Sequence, residues 1–125
     1  MNIGLWIAQA LLAGVFVYSA ITKSLWSKKQ LIAKGQTGVA PMPLPVVRLT
    51  ALAELLAAIG LVLPQLTGVA PILTPLAAFG LCIVMVAAAT VHFRLHELRT
   101  VVGTILPLLA VCAIVGVGRL ITLAA

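Results

Sequence analysis

Four long apolar stretches constrain the fold of this chain more than any other feature. They cover about residues 3–22, 46–63, 71–91 and 101–120, and a helix needs about 20 apolar residues to cross the hydrocarbon core of a bilayer. In a chain of 125 residues they leave too little length for a separate soluble domain. Only 8% of the residues are charged, whereas about a quarter are charged in soluble proteins. The sequence therefore predicts an all-α integral membrane protein whose single transmembrane domain occupies residues 1–125.

The connections between the stretches predict how the four helices are arranged. The second and third connections, PQLTGVAP and HFRLHELR, are short, and short loops join antiparallel neighbours, so we expect an up-down four-helix bundle. In the longer first connection, residues 23–45, the first part predicts a short interfacial helix. The second part is rich in Gly and Pro and predicts a turn or an extended return to the membrane. The first stretch has no basic segment before it and no clear A-x-A site, so we expect a retained helix rather than a signal peptide.

The basic residues predict the orientation of the chain in the membrane. Seven of them lie at the connections after the first and third spans: Lys23, Lys28, Lys29, Lys34, Arg48, Arg94 and Arg99. Only Arg119 lies at the opposite end. By the positive-inside rule, loops 23–45 and 92–100 are predicted to be cytoplasmic and both termini outside, in the inner (plasma) membrane. The net charge of +6 is interpreted as topology and attraction to anionic headgroups, and no nucleic-acid partner is predicted.

Glu54, one of two acidic residues in the chain, lies inside the second apolar stretch. At 3.6 residues per turn it shares a stripe of small or polar residues with Thr50, Ala51, Ala57 and Ala58. The opposite side carries the aliphatic residues Leu49, Leu52, Leu56, Ile59 and Leu63. Small faces pack against other helices in lipid, so Glu54 is predicted to point into the bundle.

The position of Glu54 favours a functional role over a purely structural one. A charged residue at the centre of a helix costs about 2.5–3.5 kcal/mol on insertion scales, so we expect Glu54 to be protonated or paired. An interhelical hydrogen bond in a membrane is typically worth only about 0.6 kcal/mol. The free energy of such a bond is smaller than the cost of inserting the charge.

Two further side chains are expected in the same half of the membrane as Glu54. Lys23 ends the first span, where it either folds inward or remains a boundary lysine. His92 ends the third span and can exchange protons near neutral pH. We predict that these three residues form a ligand or proton site. The supporting positions are Gln9 and Ser19 on or near the face of Lys23, Thr50 in the stripe of Glu54, and Arg119, which either anchors the outer end or faces inward.

No metal site or disulfide framework is predicted. His92 and His96 have the i, i+4 spacing of metal ligands, but only Glu97 lies nearby. Cys82 and Cys112 lie near the middle of the third and fourth spans without a C-x-x-C motif. Antiparallel neighbours would bring the two thiols to similar depth, yet small buried packing residues remain the favoured interpretation.

Four short motifs, in order along the chain, resemble those of the DoxX and DoxX-like membrane proteins. They are AITK ending at Lys23, ELLAAIGLVLP beginning at Glu54, AAATVHFRLHE with His92, Arg94 and Glu97, and GVGRL with Arg119. Ala20 stands where the family usually has Gly, and Gln9 where many members have Arg. The resemblance implies a four-helix membrane protein. Some members are associated with quinone-coupled oxidation of sulfur compounds, and others with membrane complexes that manage oxidative stress.

Three functions are compatible with these residues. The first is a membrane subunit or accessory factor of a redox-linked or oxidative-stress complex, whose pocket binds a quinone or another small apolar ligand while partner proteins dock on the cytoplasmic face. No intrinsic cofactor is predicted, so the quinone or a partner would carry the electrons. The second is a small proton-coupled transporter or lipid-binding protein that uses Glu54. The third is a membrane scaffold without pocket chemistry. Enzymatic activity stays open, and the small-residue faces are compatible with a homodimer.

Overall fold

The computed structural model describes residues 2–124, most of which are helical, and it has no strands in that range. The elements in chain order are α1 (Asn2–Leu25), α2 (Lys28–Ala33), a 3₁₀ turn (Thr37–Val39), α3 (Leu44–Thr67), α4 (Leu73–Arg94), α5 (Leu98–Thr100), a π-helical turn (Val101–Ile105) and α6 (Leu106–Ala124). The last three elements are continuous and form the fourth long helix, Leu98–Ala124. All four long helices are apolar and long enough to cross a membrane. The predicted all-α fold with four such helices is confirmed.

Each long helix packs against two others, in the cyclic order α1, α3, α4, α6. Helices α1 and α3 run antiparallel, because Gln9 near the start of α1 meets Leu61 late in α3, whereas Lys23 near the end of α1 meets Arg48 early in α3. The connections from α3 to α4 and from α4 to α5 are only a few residues long. The long helices therefore alternate in direction.

A proline inside α3 determines how α3 packs against α4. The helix continues past Leu63, where the predicted span ends, and runs through Pro64 to Thr67. Because proline has no N–H, the carbonyl oxygen of Gly60 loses its partner within the helix. The hydroxyl of Thr74 on α4 donates to that oxygen at 3.0 Å. The two backbones approach so closely that a Cβ at Gly60 would lie 2.9 Å from the Cβ of Ala77.

A second proline explains the irregular start of the fourth long helix. Pro107 cannot donate to the carbonyl of Gly103, and its ring crowds that carbonyl. The chain responds with a π-helical turn, in which the N–H of Leu106 bonds to the carbonyl of Val101. Such single π turns inside α-helices are frequent at functional sites. This one brings Thr104 into the wall of a cavity that Glu54 also lines.

The first connection is a folded cap over one end of the four long helices. Its predicted short helix is present as α2, which starts at Ser27 with a capping box formed by Ser27 and Gln30. The second part of the connection contains the 3₁₀ turn and packs inward. A small apolar cluster joins this segment to the start of α3: Leu31, Val39 and Val47, flanked by Trp26 and Met42.

The pairing of Thr74 with Gly60 gives a first test. We expect Thr74→Val to lower the free energy of unfolding by about 1 kcal/mol, within the range measured for interhelical hydrogen bonds in membranes. In a Pro64→Ala background, the new N–H at position 64 serves the carbonyl of Gly60, so the same substitution should cost less. Reversible unfolding in mixed micelles measures all four combinations. Equal costs in the two backgrounds would contradict this account of Pro64.

Candidate functional site

The two sides of α3 face different surroundings, as the helical periodicity of its residues predicts. Ala51, Glu54 and Ala58 are buried, with Glu54 only 1% exposed. Leu49 and Leu56, on the opposite side, are 66% and 60% exposed. In a membrane these aliphatic side chains face the lipid tails. Glu54 therefore lies among the helices.

Glu54 forms an ion pair with Lys23 inside the protein. The Nζ of Lys23 donates to Oε1 of Glu54 at 2.9 Å, and both side chains are largely removed from solvent. The second carboxylate oxygen, Oε2, is buried and has no hydrogen-bond partner among the described residues. A buried oxygen without a donor carries the full penalty of desolvation. One oxygen of the carboxylate is thus left unsatisfied.

A cavity of about 470 Å³ lies beside the ion pair and is called the Glu54 cavity here. Much of its wall is apolar and includes Phe16, Val84, Met85, Ala88, Ile105 and Leu108. Its polar lining consists of Ser19, Lys23, Gln36, Thr50, Glu54, His92, Thr100 and Thr104. An apolar chamber with few polar groups is typical of small-molecule binding sites.

The Glu54 cavity opens sideways, between α1 and the fourth long helix. Val15 and Tyr18 on α1 line the cavity and are 44% and 60% exposed. Thr104 lines it from the other helix and is also exposed. The surrounding exposed surface is aliphatic and faces lipid in a membrane. The opening therefore connects the cavity with the interior of the bilayer.

The cap formed by the first connection closes the cavity at the Lys23 end. Gly38 lies against the ring of His92, since a Cβ at position 38 would be 2.8 Å from Nε2 of His92. The amide nitrogen of Gln36 donates to the hydroxyl of Thr22 on α1 at 2.8 Å. Gly38 and Gln36 line the cavity together with His92.

A hydrogen-bonded group around Glu97 fastens the cap to the end of α4. The hydroxyl of Thr37 lies 2.8 and 2.6 Å from the two carboxylate oxygens of Glu97, and Nδ1 of His92 lies 2.8 Å from Oε1. Since an ionised carboxylate only accepts, Nδ1 of His92 carries the proton. The hydrogen bonds from Thr37 and then from His92 hold the pKa of Glu97 below its usual range.

Five of the seven sequence-predicted site residues line this one cavity. They are Lys23, Glu54, His92, Ser19 and Thr50. The other two, Gln9 and Arg119, do not line it. Gln9 lies opposite Leu61, which is seven residues from Glu54 and so about 10 Å along the helix.

Gln9 and Arg119 form a second polar cluster with residues near the start of α1. Arg119 is 2% exposed; its Nε donates to Oε1 of Gln9 at 2.5 Å and its Nη1 to Oδ1 of Asn2 at 2.7 Å. Its guanidinium also lies 5.3 Å from the ring centroid of Trp6. Gln9 in turn donates to the carbonyl of Leu61 at 2.5 Å. Of the two predicted alternatives for Arg119, the structure has it facing inward.

Sequence reasoning missed the contacts that fasten the cap to α1 and to the end of α4. Thr22, Gln36, Thr37 and Glu97 have no spacing that links them, because their contacts join separate parts of the chain. Glu97 lies in the short connection HFRLHELR, for which the sequence analysis predicts only a cytoplasmic position. Glu97 is the only acidic residue besides Glu54, and it follows His92 by five residues. This was the one feature of the sequence that could have indicated its contact with His92.

The fold and this site define an integral membrane protein of four long helices with a buried Lys–Glu pair beside an apolar cavity. A sequence profile described as the DoxX-like family matches residues 7–125, so the chain belongs to the DoxX-like family. Comparison with curated proteins gives no match. Comparison with solved structures gives none either.

The contact between Thr37 and Glu97 predicts a pH effect. A carboxyl group whose pKa is lowered on folding adds stability above its unfolded pKa of about 4.3, and this stability is lost as the pH falls through the folded pKa. Thr37→Val removes the main cause of the shift. We therefore expect the wild type to lose more stability than the variant between about pH 5 and pH 3.

Thermal unfolding in detergent across this pH range measures the difference. Thr90→Val is the matched control, because Thr90 is exposed on α4 and bonds only within its own helix. The control should follow the wild-type profile. Parallel profiles for the wild type and Thr37→Val would show that Thr37 does not hold the pKa of Glu97 low.

Proposed function

We propose that this protein is a membrane subunit of a redox-linked or oxidative-stress complex, and that its Glu54 cavity binds a quinone or quinol. The observation that carries the proposal is the buried Oε2 of Glu54, which lacks a donor and belongs to a residue lining the cavity. A ligand with a hydroxyl group on an apolar ring supplies that donor. A quinol combines both features.

The ion pair suits both redox forms of such a ligand. A quinol hydroxyl donates to Oε2 of Glu54, while the ammonium of Lys23 is placed to donate to a ring oxygen of the quinone. Hydrogen bonds to charged groups are stronger than neutral ones, by net contributions of about 1.5–3 kcal/mol. The low dielectric of the site strengthens them further.

The lateral opening supports a ligand that is dissolved in the bilayer. The ring fits in the chamber, and an isoprenoid tail passes between α1 and the fourth long helix into the lipid. The folded cap separates the chamber from water at the Lys23 end. Such a route favours a membrane-resident ligand over a water-soluble one.

The charged face at the same end supports a docking role. Exposed basic side chains surround the cap: Lys29, Lys34, Arg94 and Arg99. A complementary acidic surface on a partner protein would associate faster through this charge. In this proposal the ligand and the partner carry the electrons, and this chain binds the ligand and positions it.

Glu54→Gln tests the role of the carboxylate. The glutamine oxygen still accepts from Lys23, but an NH₂ donor replaces the acceptor Oε2. We expect affinity for a short-chain ubiquinol in nanodiscs to fall about tenfold, since a charge-assisted hydrogen bond is lost. Affinity for the matching ubiquinone should fall less. Thr67→Val, an exposed change on the same helix, should bind as the wild type does.

The two alternative functions predict different effects of Glu54→Gln. A proton-coupled transporter or lipid-binding protein would show proton-linked flux or lipid retention that depends on Glu54, without discrimination between quinol and quinone. A scaffold would tolerate Glu54→Gln and retain the same partner proteins. Unchanged affinity for ubiquinol in the variant would overturn the proposed site.

Filling the cavity gives an independent test. Ala88 is half-buried and lines the chamber, so Ala88→Leu should displace the ring while leaving the ion pair intact. Ala53→Leu is the matched control, because Ala53 lies exposed on the lipid side of α3. We expect the first variant to lose at least about tenfold in affinity, a typical cost of overpacking a filled site. Equal binding by both variants would place the ligand elsewhere.

A further inference from the structure

The guanidinium of Arg119 is a buried positive charge that contacts no carboxylate among residues 2–124. The chain has only two acidic side chains. Glu54 binds Lys23, and Glu97 binds Thr37 and His92. Both acids therefore lie at the Lys23 end, far from Arg119.

The neighbours of Arg119 only partly satisfy its guanidinium. Its two protein acceptors are neutral amide oxygens, those of Gln9 and Asn2, and the ring of Trp6 adds a cation–π contact. The remaining nitrogen, Nη2, is buried and has no partner among residues 2–124. Unpaired buried charges are strongly unfavourable. An anion from outside the chain would complete the set.

The position of the cluster indicates which anion is available. Asn2 begins α1, and Lys23 lies 21 residues further along, about 32 Å at 1.5 Å per residue. That distance is close to the thickness of the hydrocarbon core. With Lys23 near one boundary, Arg119 and Asn2 lie near the other. The adjoining exposed side chains are aliphatic and include Ile3, Ile7, Leu120 and Ile121.

We propose that Arg119 binds the phosphate of an anionic phospholipid at this boundary. A guanidinium presents its donors as a planar fork that matches phosphate oxygens. The side chain of Asn2 is exposed and belongs to the first turn of α1. When it swings aside, Nη2 and Nη1 of Arg119 are both presented to the phosphate. The site is separate from the Glu54 cavity and does not depend on the function proposed for it.

The test measures which anion the wild-type protein binds. The protein is purified in detergent and mixed with phosphatidylglycerol, phosphatidylcholine or inorganic phosphate, and thermal stability and native mass spectra are recorded. We expect phosphatidylglycerol alone to raise the melting temperature and to stay bound in the gas phase. Equal effects of the two lipids would overturn the proposal. An equal effect of inorganic phosphate would overturn the assignment to a lipid.

Variants at Arg119 then locate the site. Arg119→Gln should retain about tenfold less phosphatidylglycerol, since a charge-assisted hydrogen bond is lost. Arg119→Lys should retain an intermediate amount, because an ammonium keeps the charge but lacks the fork. Thr122→Val changes an exposed side chain on the helix of Arg119 that bonds only within that helix, and it should retain as much lipid as the wild type. Retention that falls as far with Thr122→Val, or that is unchanged in both Arg119 variants, would overturn the assignment to Arg119.

Discussion

The ammonium of Lys23 and the carboxylate of Glu54 meet 2.9 Å apart in a part of the chain that lipid surrounds. Neither charge is tolerated there alone, because removing one partner of a buried ion pair leaves the other uncompensated, at a cost of about 3–5 kcal/mol. The pair therefore requires that the end of α1 lies beside the first half of α3. It also requires that the small face of α3 turns inward. Because the pair uses only Oε1 of Glu54, it leaves Oε2 without a hydrogen-bond partner. The contact that fixes the two helices therefore also leaves an unsatisfied polar atom on a residue that lines an apolar chamber.

The chamber exists because the helices pack differently at their two ends. At the Arg119 end, glycines allow close approach: a Cβ at Gly116 or Gly118 would lie 2.7 Å from Phe79 or Leu5. At the Lys23 end, the π-helical turn before Pro107 replaces regular helix, and the space between α1 and the fourth long helix stays open. The cap fills part of that space from the aqueous side. Its anchor is the Thr37–Glu97–His92 group, so a residue of the cavity wall, His92, also holds the cap in place.

The sequence predicts those parts of the structure that depend on local periodicity. The inward face of α3 and the burial of Glu54 follow from spacing within one helix. The cost of a lone charge in lipid requires a partner or a proton for Glu54, but the sequence leaves Lys23 open between that role and a position at the boundary. The cap and the Arg119 cluster do not follow, because they depend on contacts between residues that are far apart in sequence. Thr37 and Glu97 are 60 residues apart, and Gln9 and Arg119 are 110 apart. Hydropathy places such residues at a depth in the membrane but does not identify their partners.

The distribution of charge gives the two ends of the molecule different relations to their surroundings. The partly buried cation at one end, Lys23, finds its counter-charge within the chain, so its pairing is part of folding and should not depend on the lipid present. The buried cation at the other end, Arg119, is held by two amide oxygens and an indole ring. These groups orient the guanidinium without neutralising it. Interhelical hydrogen bonds in membranes are individually weak. The stability of the α1–α6 contact should therefore depend on which anion the membrane supplies. The stability of the α1–α3 contact should depend on the sequence alone.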